Sequence, residues 1–304
     1  MQKLTKAQFE KARDFILCNA RMLERRLFHF HFSEARGDNF PDGVRHAVYA
    51  YRNADGGIGH GMEPDTASPE SQPLFTIMAL ESLDEAGCLD ADILKHDFLP
   101  YFESVTDDTG GIPWMMNPTS DYPRADHFEN LKVHGALSTT APLLGLMEKH
   151  EVASSWKKPA ENFVWREIER IGKKHAFCFL CVPRRMLFLD HCKDRKRAER
   201  AIDDLVKWIR EDEVLCTDKT NENWGLYGSP NSLNYAPTPN ATLRRGFTQK
   251  EIDEDLDETI RRQKEDGRWA NPYGLSEGMK LEWAGMQTLS TLKTLKAYDR
   301  IELG

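Results

Sequence analysis

A short glycine-containing sequence recurs along this chain and constrains its architecture more than any other feature. Asp-Gly-Gly-Ile at 55–58 is followed roughly 54 residues later by Thr-Gly-Gly-Ile at 109–112. A third copy, Asp-Gly-Arg-Trp at 266–269, lies close to three further periods along the chain. Repetition at a period of about 50 residues is typical of folds built from similar helical or propeller units. The repeat therefore predicts the architecture before any single residue is considered.

Each copy lies between two patterns that are typical of helices. The segment before the first copy places Val44, Ala47, Val48 and Tyr51 on one face, as an amphipathic helix does. The segments after the copies, which begin near Pro73, Thr139 and Leu281, are more apolar. No segment shows the alternation typical of strands. We therefore expect a repeated unit of outer helix, glycine turn, long loop and inner helix.

Three local expectations follow from the same patterns. Gly57 and Gly111 are expected to stop helices by adopting a positive φ, which a β-branched residue could not do without strain. A single N-terminal helix is expected over 6–32, with a capping box formed by Thr5 and Gln8. The segment 215–247 is rich in Asn, Pro and Gly, so we expect a long loop in place of an inner helix.

Composition limits the classes of partner. The chain has 304 residues, of which 40% are hydrophobic, enough for one large core or two modest ones. A net charge of −8 gives no overall attraction to nucleic acid or anionic lipid. No segment predicts a membrane span or a signal peptide, and the six cysteines suit reduced thiols. We expect a cytoplasmic protein with no nucleic-acid partner, and the sequence leaves its oligomeric state open.

The third copy extends into a longer motif that resembles a known superfamily. Residues 262–269 (RQKEDGRW) resemble the Q-x-x-D-G-x-W repeat of squalene cyclases and protein prenyltransferases, and the two Gly-Gly copies resemble degenerate versions of it. Residues 53–65 (NADGGIGHGMEPD), followed by SQPL, resemble uncharacterised bacterial prenyltransferase-like proteins. The resemblance implies an all-α fold, an α/α toroid of about five to six helical hairpins, as a single domain over 1–304. Such rings host many chemistries, so activity must be argued from the site.

The catalytic motifs of that superfamily are incomplete in this sequence. The D-x-D-D acid of class II terpene cyclases is absent, because 90–93 and 253–256 both fail at the last position. The acids at 253–257 are the nearest match to a class I metal motif, but acids near a helix N-terminus explain them better. The Cys178-x-x-Cys181 spacing lies in an apolar segment and is interpreted as core. We predict no cofactor and no metal, although zinc or magnesium bound by converging His60, Glu63, Asp65, Asp126 and His127 is not excluded.

The candidate site consists of the loops between outer and inner helices, which alternation would place at one end of the ring. The stretch 60–65 is the stronger candidate there, because the other copies have no equivalent of it. The candidate catalytic residues are His60, Glu63, Asp65, Asp126, His127 and Glu282. The candidate substrate-binding residues are Trp114, Tyr122, Arg124, Trp224, Tyr227, Tyr235, Trp269, Tyr273 and Trp283.

Two classes of function are consistent with such an aromatic and acid-lined site. In the first, carboxylates and histidines carry out acid–base chemistry on a small apolar or isoprenoid ligand, the reading that the resemblance favours. The alternatives are a carbohydrate-active (α/α)6-type hydrolase or lyase, and a toroid that binds a ligand or peptide without turnover. A diphosphate needs clustered cations, and the loops offer little beyond Arg124, Lys132, Arg268 and Lys280.

Overall fold

The computed structural model of the protein describes residues 1–33, 40–116, 121–129, 131–170, 181–211, 214–226 and 228–302, without the side chains of residues 181 and 183. These residues form helices joined by turns and loops, and β-pairing among them is limited to isolated bridges. The all-α prediction is therefore confirmed. No helix in this part of the chain combines the length and apolar character that a membrane span requires.

The helices follow one another along the described parts of the chain, and a π-helical segment, Leu94–Phe98, lies between two of them. The α-helices are α1 Lys6–Asn19, α2 Met22–Phe32, α3 Phe40–Tyr49, α4 Pro73–Glu85, α5 Ala91–Ile93, α6 Leu99–Val105, α7 Leu137–Lys149, α8 Lys157–Glu169, α9 Cys181–His191, α10 Arg195–Glu211, α11 Ser232–Tyr235, α12 Gln249–Arg261 and α13 Glu277–Ala297.

The chain divides into two compact units. The first contains Met1–Ser33 and Ile202–Gly304, and the second contains Glu34–Ala201. The core of the second unit is formed by α4, α7, α8 and α9, with α3 against α4. In the first unit α1, α2 and α13 pack together, and α11 packs on α12. The expectation of a single domain over the whole chain stays a prediction.

The three glycine turns share one hydrogen-bond pattern. In each turn the first N–H donates to the carbonyl four residues later at 2.9 Å, and the glycine at the fourth position has a left-handed φ. Only glycine adopts that conformation without steric cost. The turns are Asn53–Gly57 with Gly56 at φ 88°, Asp107–Gly111 with Gly110 at φ 85°, and Lys264–Arg268 with Gly267 at φ 92°. The structure thus supports the repeats found in the sequence.

The expected reason for the second glycine of each pair was wrong. Gly57 and Gly111 do not have a left-handed φ; their neighbours Gly56 and Gly110 do. They are glycines because other groups approach their Cα atoms closely. A Cβ on Gly57 would lie 2.5 Å from the Cβ of Ser71, and one on Gly111 would lie 2.6 Å from the ring of Phe163.

A threonine of the inner helix anchors the residue after each turn. The N–H groups of the three residues donate to threonine hydroxyls at 2.8–3.0 Å. All three threonines are fully buried, so these bonds satisfy amides that water cannot reach. The pairs are Ile58 with Thr76, Ile112 with Thr140, and Trp269 with Thr288. The threonine bond therefore fixes each turn against the helix that follows it.

A fourth turn of the same kind lies in the segment that was expected to be only a loop. The N–H of Gly225 donates to the carbonyl of Ser229 at 2.7 Å, and Gly228 has a φ of 83°. The next residue is Pro230, which has no N–H for a threonine to accept. The helix that follows, α11, has only four residues. This copy is degenerate, which is why its sequence does not show the repeat.

The single N-terminal helix expected over 6–32 is wrong, because the chain forms two helices there. The capping box of Thr5 and Gln8 is present. Ala20 and Arg21 are extended, with ψ near 160°, and separate α1 from α2. The break places Ala20 against α13, where a Cβ on Gly285 would lie 2.6 Å from the Cβ of Ala20.

Replacing Thr288 with valine tests the anchoring of the turns. Valine fills the same volume but leaves the buried amide of Trp269 without an acceptor, so we expect the free energy of unfolding to fall by about 1–3 kcal/mol. Thr294→Val in the same helix is the matched control, since the Thr294 hydroxyl has no partner among the described residues, and it should change stability by less than about 0.5 kcal/mol. Urea unfolding measures both. Equal losses would refute the anchoring role.

A pair of alanine substitutions separates crowding from backbone conformation. Gly111→Ala forces a methyl group to within 2.7 Å of Gly135 and Phe163, and such overpacking should cost about 3 kcal/mol. Gly87→Ala introduces a left-handed alanine at φ 68° with nothing within 4 Å, which should cost about 1 kcal/mol. Thermal unfolding ranks the two variants. The reverse ranking would show that packing does not explain Gly111.

Candidate functional site

Two loops of the second unit pair with each other and form the candidate site. We define the first loop as 59–72 and the second loop as 113–136, each between a glycine turn and an inner helix. The N–H of Ala67 donates to the carbonyl of Pro123 at 2.9 Å, and the N–H of Ala125 donates to that of Asp65 at 2.8 Å. These bonds flank an isolated bridge between Thr66 and Arg124. Residues about 60 apart in sequence are thereby held side by side.

The start of α4 fixes the beginning of the second loop. The N–H of Leu74 donates to the carbonyl of Trp114 at 3.1 Å. The side chain of Gln72, which is fully buried, accepts the N–H of Met116 at 2.9 Å. Trp114 is thus held on both sides by the first turn of an inner helix. No pattern in the sequence indicates this role of Gln72, because it depends on a loop 44 residues away.

A buried carboxylate and an exposed imidazole face each other between the loops. Asp65 is 5% exposed, and its Oδ2 lies 3.6 Å from Nε2 of His127. This distance is longer than a hydrogen bond, but it forms an ion pair when His127 is protonated. The side chain of His127 is 48% exposed. One partner is therefore fixed in the protein while the other is open to solvent.

Aromatic rings surround the exposed imidazole. The His127 ring lies 4.2 Å from the ring of Phe128 and 6.3 Å from that of Trp114, measured between centroids. Trp114 and Phe128 are themselves 5.5 Å apart. Phe128 is fully buried and supports the cluster from below, whereas Trp114 is half-buried. Phe128 was not among the sequence candidates, although its position next to His127 is a signal that could have identified it.

The remaining candidates of the second loop are more exposed. Arg124 lies 3.6 Å from the carboxylate of Glu129, and it also donates to the carbonyl of Tyr122 at 3.4 Å. The side chains of Tyr122 and Asp126 are exposed. The structure therefore brings Asp65, His127, Trp114 and Arg124 to one surface, with Tyr122 and Asp126 at its edge.

His60 is held in an unusual backbone conformation. It has a φ of 56°, and its Nε2 lies 2.9 Å from Oδ1 of Asn53. The amide nitrogen of Asn53 donates to the carbonyl of Pro69 and to the hydroxyl of Ser71, which orients Oδ1 toward the ring. Nε2 of His60 must therefore carry a proton. Glu63, in the same loop, is 8% exposed.

A second group of candidates lies in the first unit. Tyr273 and Trp283 have ring centroids 6.2 Å apart in an edge-to-face arrangement. Glu282 is half-buried, and burial raises its pKa above the ordinary value; Arg21 acts against this shift and Glu24 adds to it. Arg21 and Glu24 form a buried ion pair, with Nε of Arg21 2.8 Å from Oε2 of Glu24.

Three aromatic candidates are used in packing. Trp269 is 5% exposed, and its indole N–H donates to the carbonyl of Thr259 at 2.7 Å. Trp224 is buried beneath the guanidinium of Arg262, which lies 4.9 Å from the ring centroid. Tyr235 is buried and stacks on Phe247. We leave these residues out of the proposed site. The candidate Tyr227 and the Cys178–Cys181 pair lie outside the residues whose side chains are described.

The acids of α12 are occupied by intramolecular partners. Arg300 is buried and contacts the carboxylates of Asp253 and Asp257 at 3.0 and 2.7 Å. Asp255 accepts the hydroxyl of Ser232 at 2.7 Å. The structure thus gives these acids side-chain partners, which differ from the helix-terminus role expected from the sequence; the acid in the first turn of α12 is Glu251. In the described parts of the chain, no group of three or more His, Cys, Asp or Glu side chains is placed to hold a metal ion.

Comparison with known proteins shows a likeness in fold. No protein-family profile and no curated protein matches the chain. A crystal structure of a protein from Actinoplanes is similar, with a TM-score of 0.54 and 14% identity. The match covers 96% of this chain and 99% of that one. At this identity the likeness concerns the fold alone. The fold and the site define an all-α protein in which a buried aspartate faces an exposed histidine.

The pKa of Glu282 predicts how stability depends on pH. Because folding raises this pKa, the protonated form is favoured in the fold. The stability that this pKa shift contributes to the folded state is present at low pH and is lost as pH rises through the folded pKa. Glu282→Gln should therefore raise the Tm at pH 7, and the gain should vanish below the ordinary carboxyl pKa of about 4.3. Thermal unfolding at both pH values measures this. A lower Tm at pH 7 would mean that attraction to Arg21 outweighs burial.

Proposed function

We propose that this protein is an enzyme of the terpenoid cyclase and prenyltransferase-like superfamily that transfers a proton to or from a small ligand through His127. The observation that carries the proposal is the buried carboxylate of Asp65 at 3.6 Å from the exposed imidazole. A carboxylate in this position holds an imidazole in one orientation and stabilises its protonated form during proton transfer. The paired loops then form the substrate site.

The orientation of His127 determines which nitrogen acts on the ligand. Nε2 faces Asp65, so Nδ1 is the nitrogen that is left for a ligand, and it has no partner among the described residues. The ring lies in an aromatic cluster, which restricts its rotation. Distances between catalytic groups are often longer without a ligand than in the reacting complex, so 3.6 Å is compatible with a hydrogen bond in the working enzyme.

Trp114 provides the binding surface next to this base. Its ring is half-buried and is held by bonds of the neighbouring backbone to α4. A fixed aromatic face binds apolar ligands by stacking, which favours an isoprenoid chain. The same face also suits the CH face of a sugar, so a carbohydrate-active enzyme is the alternative. Neither reading requires the D-x-D-D acid, which the sequence lacks.

The closure of the helical hairpins into a toroid is part of this proposal. Four turns with one hydrogen-bond pattern, distributed over both units, support a ring of repeated hairpins. The likeness to the Actinoplanes protein over nearly the whole chain supports a fold shared by the two proteins. In such a ring, loops that follow outer helices lie at the same end. The proposed ring would then carry the paired loops at one mouth.

Paired substitutions test the acid–base mechanism. The substrate panel is isoprenoid alcohols, isoprenoid diphosphates and oligosaccharides, with products detected by mass spectrometry. His127→Gln removes the base and should lower turnover by about 10²–10⁴-fold. Asp65→Asn keeps the size but removes the charge, and it should lower turnover by at least about tenfold with little change in Tm.

The chain offers a matched control in a second Asp–His pair. Nε2 of His150 lies 2.8 Å from Oδ1 of Asp84, at the opposite end of α4 from the paired loops. Lys149 also contacts Asp84, so these contacts join the C-terminal ends of α4 and α7. His150→Gln should leave turnover unchanged. If Asp65→Asn destabilises the fold but retains activity, Asp65 is a turn residue. If a panel compound binds but is not converted, the protein is a binding protein and not an enzyme.

A further inference from the structure

The paired loops carry an excess of negative charge. Their sequences contain six acids and two bases, a net charge of −4 with the histidines neutral. The acids are Glu63, Asp65, Glu70, Asp121, Asp126 and Glu129, and the bases are Arg124 and Lys132. The chain as a whole has a net charge of −8 over 304 residues, so about half of that excess lies in these 38 positions. A field of this sign concentrates cations and repels anions.

Arg124, the one arginine in the sequence of the paired loops, already has an ionic partner. Arg124 is held 3.6 Å from the carboxylate of Glu129, and its side chain is only 20% exposed. Lys132, the other cation, is exposed. A diphosphate is bound by several convergent cations. To use Arg124, an anionic ligand would have to break its ion pair with Glu129 while lying near the buried charge of Asp65.

The aromatic residues act in the same direction as the acids. Trp114 is half-buried and Tyr122 is exposed at the edge of the same surface. The face of an aromatic ring carries negative potential and attracts ammonium groups, and tryptophan does so most strongly. The carboxylate of Asp65, 5% exposed, lies 3.6 Å from His127, whose ring centroid is 6.3 Å from that of Trp114. Together they form a site with two kinds of group that stabilise positive charge.

We propose that the paired loops select a small organic cation, an amine or ammonium group next to an apolar ring or chain, and discriminate against anionic ligands such as diphosphates. The proposal rests on the proposed function in that it uses the same site. It names the substrate class that the charges and rings of the loops favour. Proton transfer through His127 and selection of a cation are nevertheless separate properties, which different measurements address.

Three indole compounds that differ mainly in charge test the selection. Tryptamine is cationic, tryptophol is neutral and indole-3-acetate is anionic, while all three present the same ring to Trp114. Isothermal titration calorimetry with the full-length protein gives their dissociation constants. We expect tryptamine to bind about tenfold more tightly than indole-3-acetate, with tryptophol between them. The ratio should shrink at high salt, because three of the six acids, Asp121, Asp126 and Glu129, are exposed.

Two substitutions in the Arg124–Glu129 ion pair should act in opposite directions. Glu129→Gln removes a negative charge and releases Arg124, so the preference for tryptamine should fall about threefold. Arg124→Gln removes the cation and should increase that preference. Trp114→Ala should weaken binding of all three compounds. Asp92→Asn is the control for charge: Asp92 is exposed in α5, beyond the far end of α4 from the loops, and its loss should leave the ratio unchanged.

The outcomes that overturn the proposal are distinct from those that overturn the catalytic one. Equal or tighter binding of indole-3-acetate, or loss of that binding in Arg124→Gln, would show that the site recognises anions. Tryptamine binding that survives Trp114→Ala would place the cation elsewhere, and absence of binding by all three compounds would also refute the selection. Failure of the acid–base mechanism would instead appear as unchanged turnover in His127→Gln, whichever indole binds best.

Discussion

In three of the four glycine turns, the amide after the turn donates to a buried threonine, and this hydrogen bond is the interaction on which the rest of the structure depends. The chain must leave an outer helix, reverse direction and return to an inner helix, and each of these three reversals buries a backbone N–H. A buried N–H without a partner costs about 1–3 kcal/mol. Thr76 and Thr140 accept these N–H groups, and their own hydroxyl groups donate to backbone carbonyls at the start of the inner helix. The turn and the inner helix thus form one unit, and the intervening loop is free to vary.

The loops that follow the glycine turns differ in length and contacts between the two units. In the second unit, the long first and second loops pair through backbone bonds and bring a carboxylate and an imidazole together. The third loop, 269–276 in the first unit, is shorter and folds onto the first turn of α13, where Gly274 allows the close approach to Lys280. The fourth has Pro230 at the anchoring position and is followed only by a short helix.

The two units also differ in how their charged side chains are paired. Buried charges of the first unit are compensated within the protein: Glu24 pairs with Arg21, and the buried Arg300 pairs with Asp253 and Asp257. Such pairing is what makes burial of a charge tolerable. On the paired loops the acids outnumber the bases, and a fixed aspartate faces an imidazole that is open to solvent. Acids beside partly exposed aromatic rings are the basis of the proposed cation site.

The sequence by itself determined the class of fold, the three glycine turns and the candidacy of Asp65 and His127, because helical periodicity and glycine turns are local properties. It assigned the left-handed φ to the wrong glycine of each pair, because Phe163, which crowds Gly111, is distant from it in the sequence. It also could not show that Gln72 positions Trp114, or that Trp269 is buried, because both depend on contacts between distant segments. Only the tertiary structure decides which loops pair, and therefore which of many acids and aromatic residues share one surface.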